Sequence, residues 1–211
     1  MTTRENLIEY WKRSGTVKDA KVLGAFAAID RRLFVPQHLR HEAYMDIPLP
    51  LVSGQTISQP TTVAIMTQAL RLKLGMKVLE IGAGSGYQAA IIAHIVGKKG
   101  KVISIEFLPE LVEMAKRNLK RAGIKNVEVI EGDGGLGYPK EAPYDRIIMT
   151  CAAQDFPPPL IEQLKDGGII LGPLGGSWHQ ELVRGTKRGN KLARENLGGF
   201  VFVPLRGRYG V

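Results

Sequence analysis

Apolar positions recur at helical spacing from the start of the chain. "TRENLIEYWKRSG" (3–15) and "KDAKVLGAFAAID" (18–30) read as two amphipathic helices, the first closing at Gly15 and the second before "RRLFVP". The rhythm then breaks over "HLRHEAYMDIPLPLVSGQTISQP" (38–60), punctuated by Pro48, Pro50, Gly54 and Pro60. "TTVAIMTQALRL" resumes a helix, with Thr61 or Thr62 as its cap.

From residue 76 short apolar runs alternate with helical patterns. "MKVLEI", "KVISIEF", "VEVIEG", "YDRIIMT" and "IILGPLG" read as strands. "GYQAAIIAHIVG", "LPELVEMAKRNLKRAG" and "PPPLIEQLKDGG" read as the helices between them, the last ending at its glycines. The final basic segment, "QELVRGTKRGNKLARENLGGFVFVPL", reads as a hairpin. Alternation of this kind predicts an α/β fold with a doubly wound, mostly parallel sheet and an antiparallel tail. No linker or repeat divides the 211 residues, so a single domain is expected over 1–211, with helices and an irregular loop in 1–75 and the sheet in 76–211.

Composition narrows the class. Hydrophobic residues make up 44 % and charged residues 23 %, an ordinary globular balance. No apolar run reaches the roughly 20 residues of a membrane helix, and the N-terminus lacks the apolar stretch of a signal peptide. Cys151 is the only cysteine, so an internal disulfide framework and a zinc cluster are not expected. A soluble cytoplasmic protein is the expectation. The net charge of +9 sits in "GKKGK", "KRNLKRAGIK" and "RGTKRGNKLAR". Basic runs can mark a nucleic-acid surface, but no aromatic residue punctuates these as a stacking platform would, and they read as solvated faces.

Ligands of such sheets bind beyond the carboxyl ends of the strands. The first strand ends "EIGAGSG", where Gly82, Gly84 and Gly86 permit a tight turn and a close approach to backbone. The dinucleotide pattern wants glycine at 87, which is Tyr87 here. The second strand ends in Glu106, twenty residues past Gly86, where an acid accepts ribose hydroxyls in nucleoside-binding folds. As a strand-end acid it is expected to add little to the core. The third ends "GDGG", whose Asp133 and Gly134 suit an adenine edge. Acids at three successive strand ends, with glycines on the first, resemble a class I S-adenosylmethionine (AdoMet) methyltransferase. Glu80 would balance the cationic amino-acid end of AdoMet, and a carboxylate so close to Gly82 would be awkward beside a pyrophosphate.

The acceptor is less legible from these strands. No Asp/Asn-Pro-Pro-Tyr follows the fourth strand, and Cys151 follows Thr150 rather than proline, so it reads as a buried, inert thiol. Among the histidines His38, His41, His94 and His179 none belongs to a motif, and His94 reads as a packing residue.

"SGQTISQP" (53–60), with "RRLFVP" before it, "VLEIGAGSGYQAA" and "GDGGLGYPKEAPYDRIIMT" after it and "FVPL" near the end, closely resembles the protein-L-isoaspartate O-methyltransferases, from about Val22 to Gly207. Gln154, Trp178 and Arg206 depart from the family's pattern. The resemblance implies a seven-stranded Rossmann-like sheet and a repair enzyme. Such an enzyme methylates the free α-carboxylate of L-isoaspartyl residues in damaged peptides and in unfolded or aged proteins; the ester closes to a succinimide that hydrolyses partly to aspartate. It also implies AdoMet as cofactor, no metal, no membrane or nucleic-acid partner, and a monomer. Matched residue by residue, Ser58 is the catalytic hydroxyl and touches substrate with Gln59, Val203, Pro204 and Leu205. Gln55, Thr56, Ile57 and Ser85 join Glu80, Gly82, Gly84, Gly86, Glu106, Asp133 and Gly134 around the cofactor. "FVFVPL" would offer a strand edge to the peptide.

The chargeless octet suits this chemistry. An isoaspartyl α-carboxylate, with a pKa of roughly 3.5, is already ionised at neutral pH and needs no base. An acid beside it would repel it, and a lysine would blunt it, whereas a hydroxyl orients it. An RNA-modifying AdoMet enzyme and a non-catalytic AdoMet-binding protein are the alternatives.

Overall fold

A computed structural model describes residues 3–176 and 179–210, so the Trp178 departure lies outside the described residues. Helix α1 (Arg4–Ser14) starts under the Thr3 side chain, which accepts from Asn6 N–H, and closes at left-handed Gly15. Helix α2 (Ala20–Ala28) is capped by Asp19. The irregular stretch contains two short paired strands, β1 (Leu49–Pro50) and β2 (Thr56–Ile57), and leads into α3 (Pro60–Ala69).

The sheet elements follow in chain order. They are β3 (Lys77–Ile81), α4 (Tyr87–Val96), β4 (Lys101–Glu106), α5 (Pro109–Arg121) and β5 (Val127–Glu131), then β6 (Tyr144–Met149), α6 (Pro158–Glu162), β7 (Leu164–Gly175), β8 (Gln180–Arg188) and β9 (Lys191–Phe200). Their order across the sheet is β5-β4-β3-β6-β7-β8-β9. The first five strands in that order run parallel, and β8 and β9 close the edge as an antiparallel meander. The chain enters at β3, winds outward to β5, then returns to the other side of β3. The winding therefore reverses between β3 and β6, and a crevice opens beyond their carboxyl ends.

Two elements differ from the sequence expectation. The helix expected over 157–168 stops at Glu162, because Lys187 Nζ on β8 takes the carbonyls of Ile161 and Leu164 at 2.7 Å each and the chain turns into β7 at once. Lys165–Gly168 then bulge out where the β6–β7 register shifts. Helix α3 is not capped by a threonine: Pro60 takes its first turn, and Asp46, distant in sequence, accepts from Thr61 N–H at 2.8 Å. His94 is exposed rather than packed.

The N-terminal helices share one core with the sheet. Trp11 with Phe26 and Phe26 with Tyr87 pack edge to face, and Phe34 tilts against Tyr87, with centroids 5.0–6.0 Å apart, in one buried cluster with Ile91 and Ile92 of α4. At the other end of α3, the buried Arg146 on β6 donates Nε to Leu70 O at 2.5 Å and Nη2 to Arg71 O at 3.3 Å. This guanidinium serves helix carbonyls that no backbone N–H reaches, and it anchors the N-terminal elements to the sheet. Arg146→Met is expected to destabilise the protein by about 2–4 kcal/mol, since it leaves the buried Leu70 carbonyl unpaired; the urea midpoint measures it.

Candidate active site

Three adjoining hollows open at the β3–β6 crevice. The first, about 550 Å³, runs between the glycine loop, the end of β4 and the C-terminal tail, with Gln55, Glu106, Gly134 and Leu205 in its wall. The second, about 430 Å³, lies over Ser85, Tyr87 and Gln88 at the start of α4, under Ile57 and Ser58. The third, about 780 Å³, faces outward past Pro48, Gln59, Thr62, Phe202 and Val203. Thr56 and Thr150 line all three, and Ser58 lines both the second and the third.

The glycine loop is held from two sides. Gly82 has φ of 93°, and a Cβ there would lie 2.5 Å from Thr150 Oγ1, which itself donates to Gly82 O at 2.8 Å. No side chain fits between β3 and β6 at this point. On the other side Glu106 accepts from Gly84 N–H at 2.9 Å, and from Phe107 and Leu108 N–H at 2.9 and 3.1 Å. Glu106 lines the first hollow, as expected, but its place outside the core does not hold. It is buried and closes three backbone donors, with about one of its four lone-pair sites left for a ligand.

Glu80, expected beside the cofactor, lies behind the crevice wall. It is fully buried opposite Ser104 on β4, whose hydroxyl donates to it, and it lines none of the three hollows. Burial raises its pKa to about 8, with the Ser104 hydrogen bond opposing the rise and the Glu106 charge adding to it. In the chain without ligand, burial therefore favours the protonated carboxyl at neutral pH.

Asp133 is also more structural than expected. Its Oδ1 accepts from Gly135 N–H at 2.9 Å and its Oδ2 from Arg208 N–H at 2.7 Å, so it pins the C-terminal tail to the end of β5. Gly134 does face the first hollow, and Ser85 the second; Gly86, with φ of 85°, instead packs beneath the loop on Ala115 and Leu119 of α5. The tail is only partly the free strand edge expected. Val203 O accepts from Ala152 N–H, and Leu205 N–H donates to Ala152 O, so those groups are spent, while Val201 is 85 % exposed on the outer rim. Cys151 is buried, with its thiol pKa pushed up by burial, which fits an inert role although it touches the first hollow. All four histidines are exposed and lie outside the three hollows.

Thr150 was missed by sequence reasoning. Its only signal is its place at the end of the fourth strand, and that strand's adjacency to the glycine loop emerges only from the sheet order. Arg206, noted only as a departure, lines the first hollow.

A glycine loop at the winding reversal, with a buried acid on the next strand bonded to it, makes a crevice of the nucleoside-binding kind. The protein-L-isoaspartate(D-aspartate) O-methyltransferase (PCMT) profile matches residues 2–210, and the chain belongs to this family. Protein-L-isoaspartate O-methyltransferase 2 of Archaeoglobus fulgidus is 51 % identical, over 98 % of this chain and 94 % of its own. The Pyrococcus horikoshii protein-L-isoaspartate O-methyltransferase is 50 % identical, over 100 % and 99 %. A solved structure of that name superposes with a TM-score of 0.89 at 34 % identity, covering 99 % of this chain and 67 % of the other. A Plasmodium falciparum structure assigned to PCMT, in complex with S-adenosyl-L-homocysteine, superposes at 0.86 with 26 % identity, covering 98 % and 99 %. The protein is thus an AdoMet-dependent carboxyl methyltransferase of protein repair, and nothing in these likenesses favours an RNA substrate.

The Glu80 environment predicts a pH-dependent stability. The folded chain holds a proton on Glu80 that the unfolded chain releases near 4.5, so the Glu80 contribution is full below about 4.5, falls as pH rises to about 8 and levels off above. Glu80→Gln keeps an acceptor for Ser104 without the charge. It is expected to exceed the wild type by on the order of 2–4 kcal/mol at pH 9 and to match it near pH 4.5, read from urea unfolding at both pH values.

Proposed function

We propose that Ser58 orients the isoaspartyl α-carboxylate for methyl transfer, with the cofactor in the first two hollows and the peptide in the third. The observation that carries this reading is the position of Ser58, which lines the inner and the outer hollow together. AdoMet, when bound, supplies a methyl group activated on a sulfonium. Glu106 would accept from the ribose; Gly82, Gly84 and Gly134 would let it lie against backbone; Ile105, Phe107, Leu108 and Leu111 supply the apolar wall suited to adenine. Gln55, Thr56, Ile57 and Ser85 would close over the remainder. The chain lends no base, because the acceptor arrives ionised. What Ser58 contributes is alignment by a neutral donor that leaves the acceptor's charge in place.

On the peptide side, Gln59, Val201 and Val203 form a rim that suits a loose, kinked segment better than a folded surface, with Pro204 and Leu205 holding that rim to β6. We read the protein as a soluble cytoplasmic monomer without a nucleic-acid partner. Among the described residues no helix is long and apolar enough to cross a membrane. Some residues of the basic runs have structural partners: Lys101 pairs with Glu128 and Glu141, Arg184 with Glu195, Arg194 with Asp155, and Lys187 caps α6.

Ser58→Ala should lower kcat at least tenfold with AdoMet affinity nearly unchanged, because the hydroxyl acts in the transition state. Single-turnover methylation of an isoaspartyl peptide at saturating AdoMet is the measurement, and a wild-type rate would reduce the segment to a lid. The wild-type chemical step should be nearly flat from about pH 5.5 to 8, since the acceptor titrates near roughly 3.5. A tenfold rise centred near about 6.5 would instead require a base.

A further inference from the structure

The octet that carries Ser58 has almost no structure of its own. Thr56 and Ile57 pair with Pro50 and Leu49, and beyond Ser58 the chain depends on a side chain from outside the segment. Asp46 receives it. Its Oδ1 accepts from Thr61 N–H at 2.8 Å, and its Oδ2 accepts from the Thr61 hydroxyl at 2.6 Å and from Gln59 Nε2 at 3.2 Å. Trp11, fully buried in α1, donates Nε1 to the same Thr61 hydroxyl at 2.8 Å. One carboxylate therefore holds both the residue after Ser58 and the first turn of α3. The dipeptide Ser58–Gln59 is clamped between the short ladder before it and this anchor behind it.

A carboxylate close to a site for an anionic acceptor would ordinarily repel it. Here three donors point at Asp46. Asp46 lines none of the three hollows, and both of its oxygens are taken up by Thr61 and Gln59.

We propose that Asp46 is the positioning residue of the transfer step, setting the Ser58 hydroxyl by holding Gln59 and Thr61. The inference rests on the reading of Ser58 as the orienting hydroxyl. Displacements of about an ångström at a reacting centre can cost on the order of a hundredfold in rate. Asp46→Ala removes all three bonds. Asp46→Asn keeps one acceptor for Thr61 N–H and can still meet Gln59 if that amide turns over.

The test is single-turnover methylation of an isoaspartyl peptide at saturating AdoMet for Asp46→Ala, Asp46→Asn, Ser58→Ala and the double variant Asp46→Ala/Ser58→Ala, with AdoMet affinity and circular dichroism alongside. Asp46→Ala is expected to react roughly tenfold or more slowly, with AdoMet affinity within about twofold of wild type, and Asp46→Asn to recover most of the rate. The double variant should be no slower than Ser58→Ala, because a misplaced hydroxyl and an absent one forfeit the same interaction. A wild-type rate in Asp46→Ala beside a slow Ser58→Ala overturns the Asp46 inference alone, as do losses that multiply in the double variant. A wild-type rate in Ser58→Ala removes the reading beneath it. If Asp46→Ala does not fold, Asp46→Asn takes its place: a severalfold loss that fails to multiply with Ser58→Ala supports the inference, and a multiplying or absent loss overturns it.

Discussion

The Glu106 carboxylate is the interaction on which the site depends. It ends β4, takes the Gly84 amide from the neighbouring loop and two amides from the entry to α5, and still faces the crevice. Backbone donors at a sharp strand-to-helix turn are costly to leave unmade, and a carboxylate satisfies several at once with charge-assisted bonds. The glycine loop is thereby fixed before a ligand arrives. On its far side Thr150 holds Gly82, so the loop is clamped between the ends of two strands that are distant in sequence.

The Ser58 segment is organised by the opposite device. Its residues are neutral, short and turn-prone, so the local chain has little preference to impose. Its shape comes from partners elsewhere: Leu49 and Pro50 at one end, Asp46 and Trp11 at the other, and Glu110 of α5, to which Ser53 donates. Contacts of this kind order a loop without placing charge in it. That matters for an acceptor that is itself a carboxylate, since its reactivity depends on staying unpaired.

Burial sorts the acids of the crevice into different roles. Glu80 and Glu106 stand near the ends of adjacent strands, yet one is sealed opposite Ser104 and favours its protonated form, while the other is bonded to amides at the hollow's wall. Asp133 is spent on joining the C-terminal tail to β5, and that tail also walls the first hollow. The tail therefore links the first hollow to the outer one through one run of residues.

Hydrophobic period and punctuation were enough to read nearly every strand and helix, because those elements bury a face whose spacing is written locally. The short α6 was misread because a lysine from β8 ends it, and the cap of α3 because its acceptor lies at Asp46. The glycine loop, Glu106 and the T-I-S-Q-P segment were visible as motifs, since their chemistry needs particular residue types at particular spacings. The inward burial of Glu80, the meeting of Thr150 with Gly82 and the anchoring by Asp46 were not. Each depends on which strands become neighbours and on which of two faces a side chain enters. A sequence sets the alternation of faces, and only the assembled sheet decides what lies against each one.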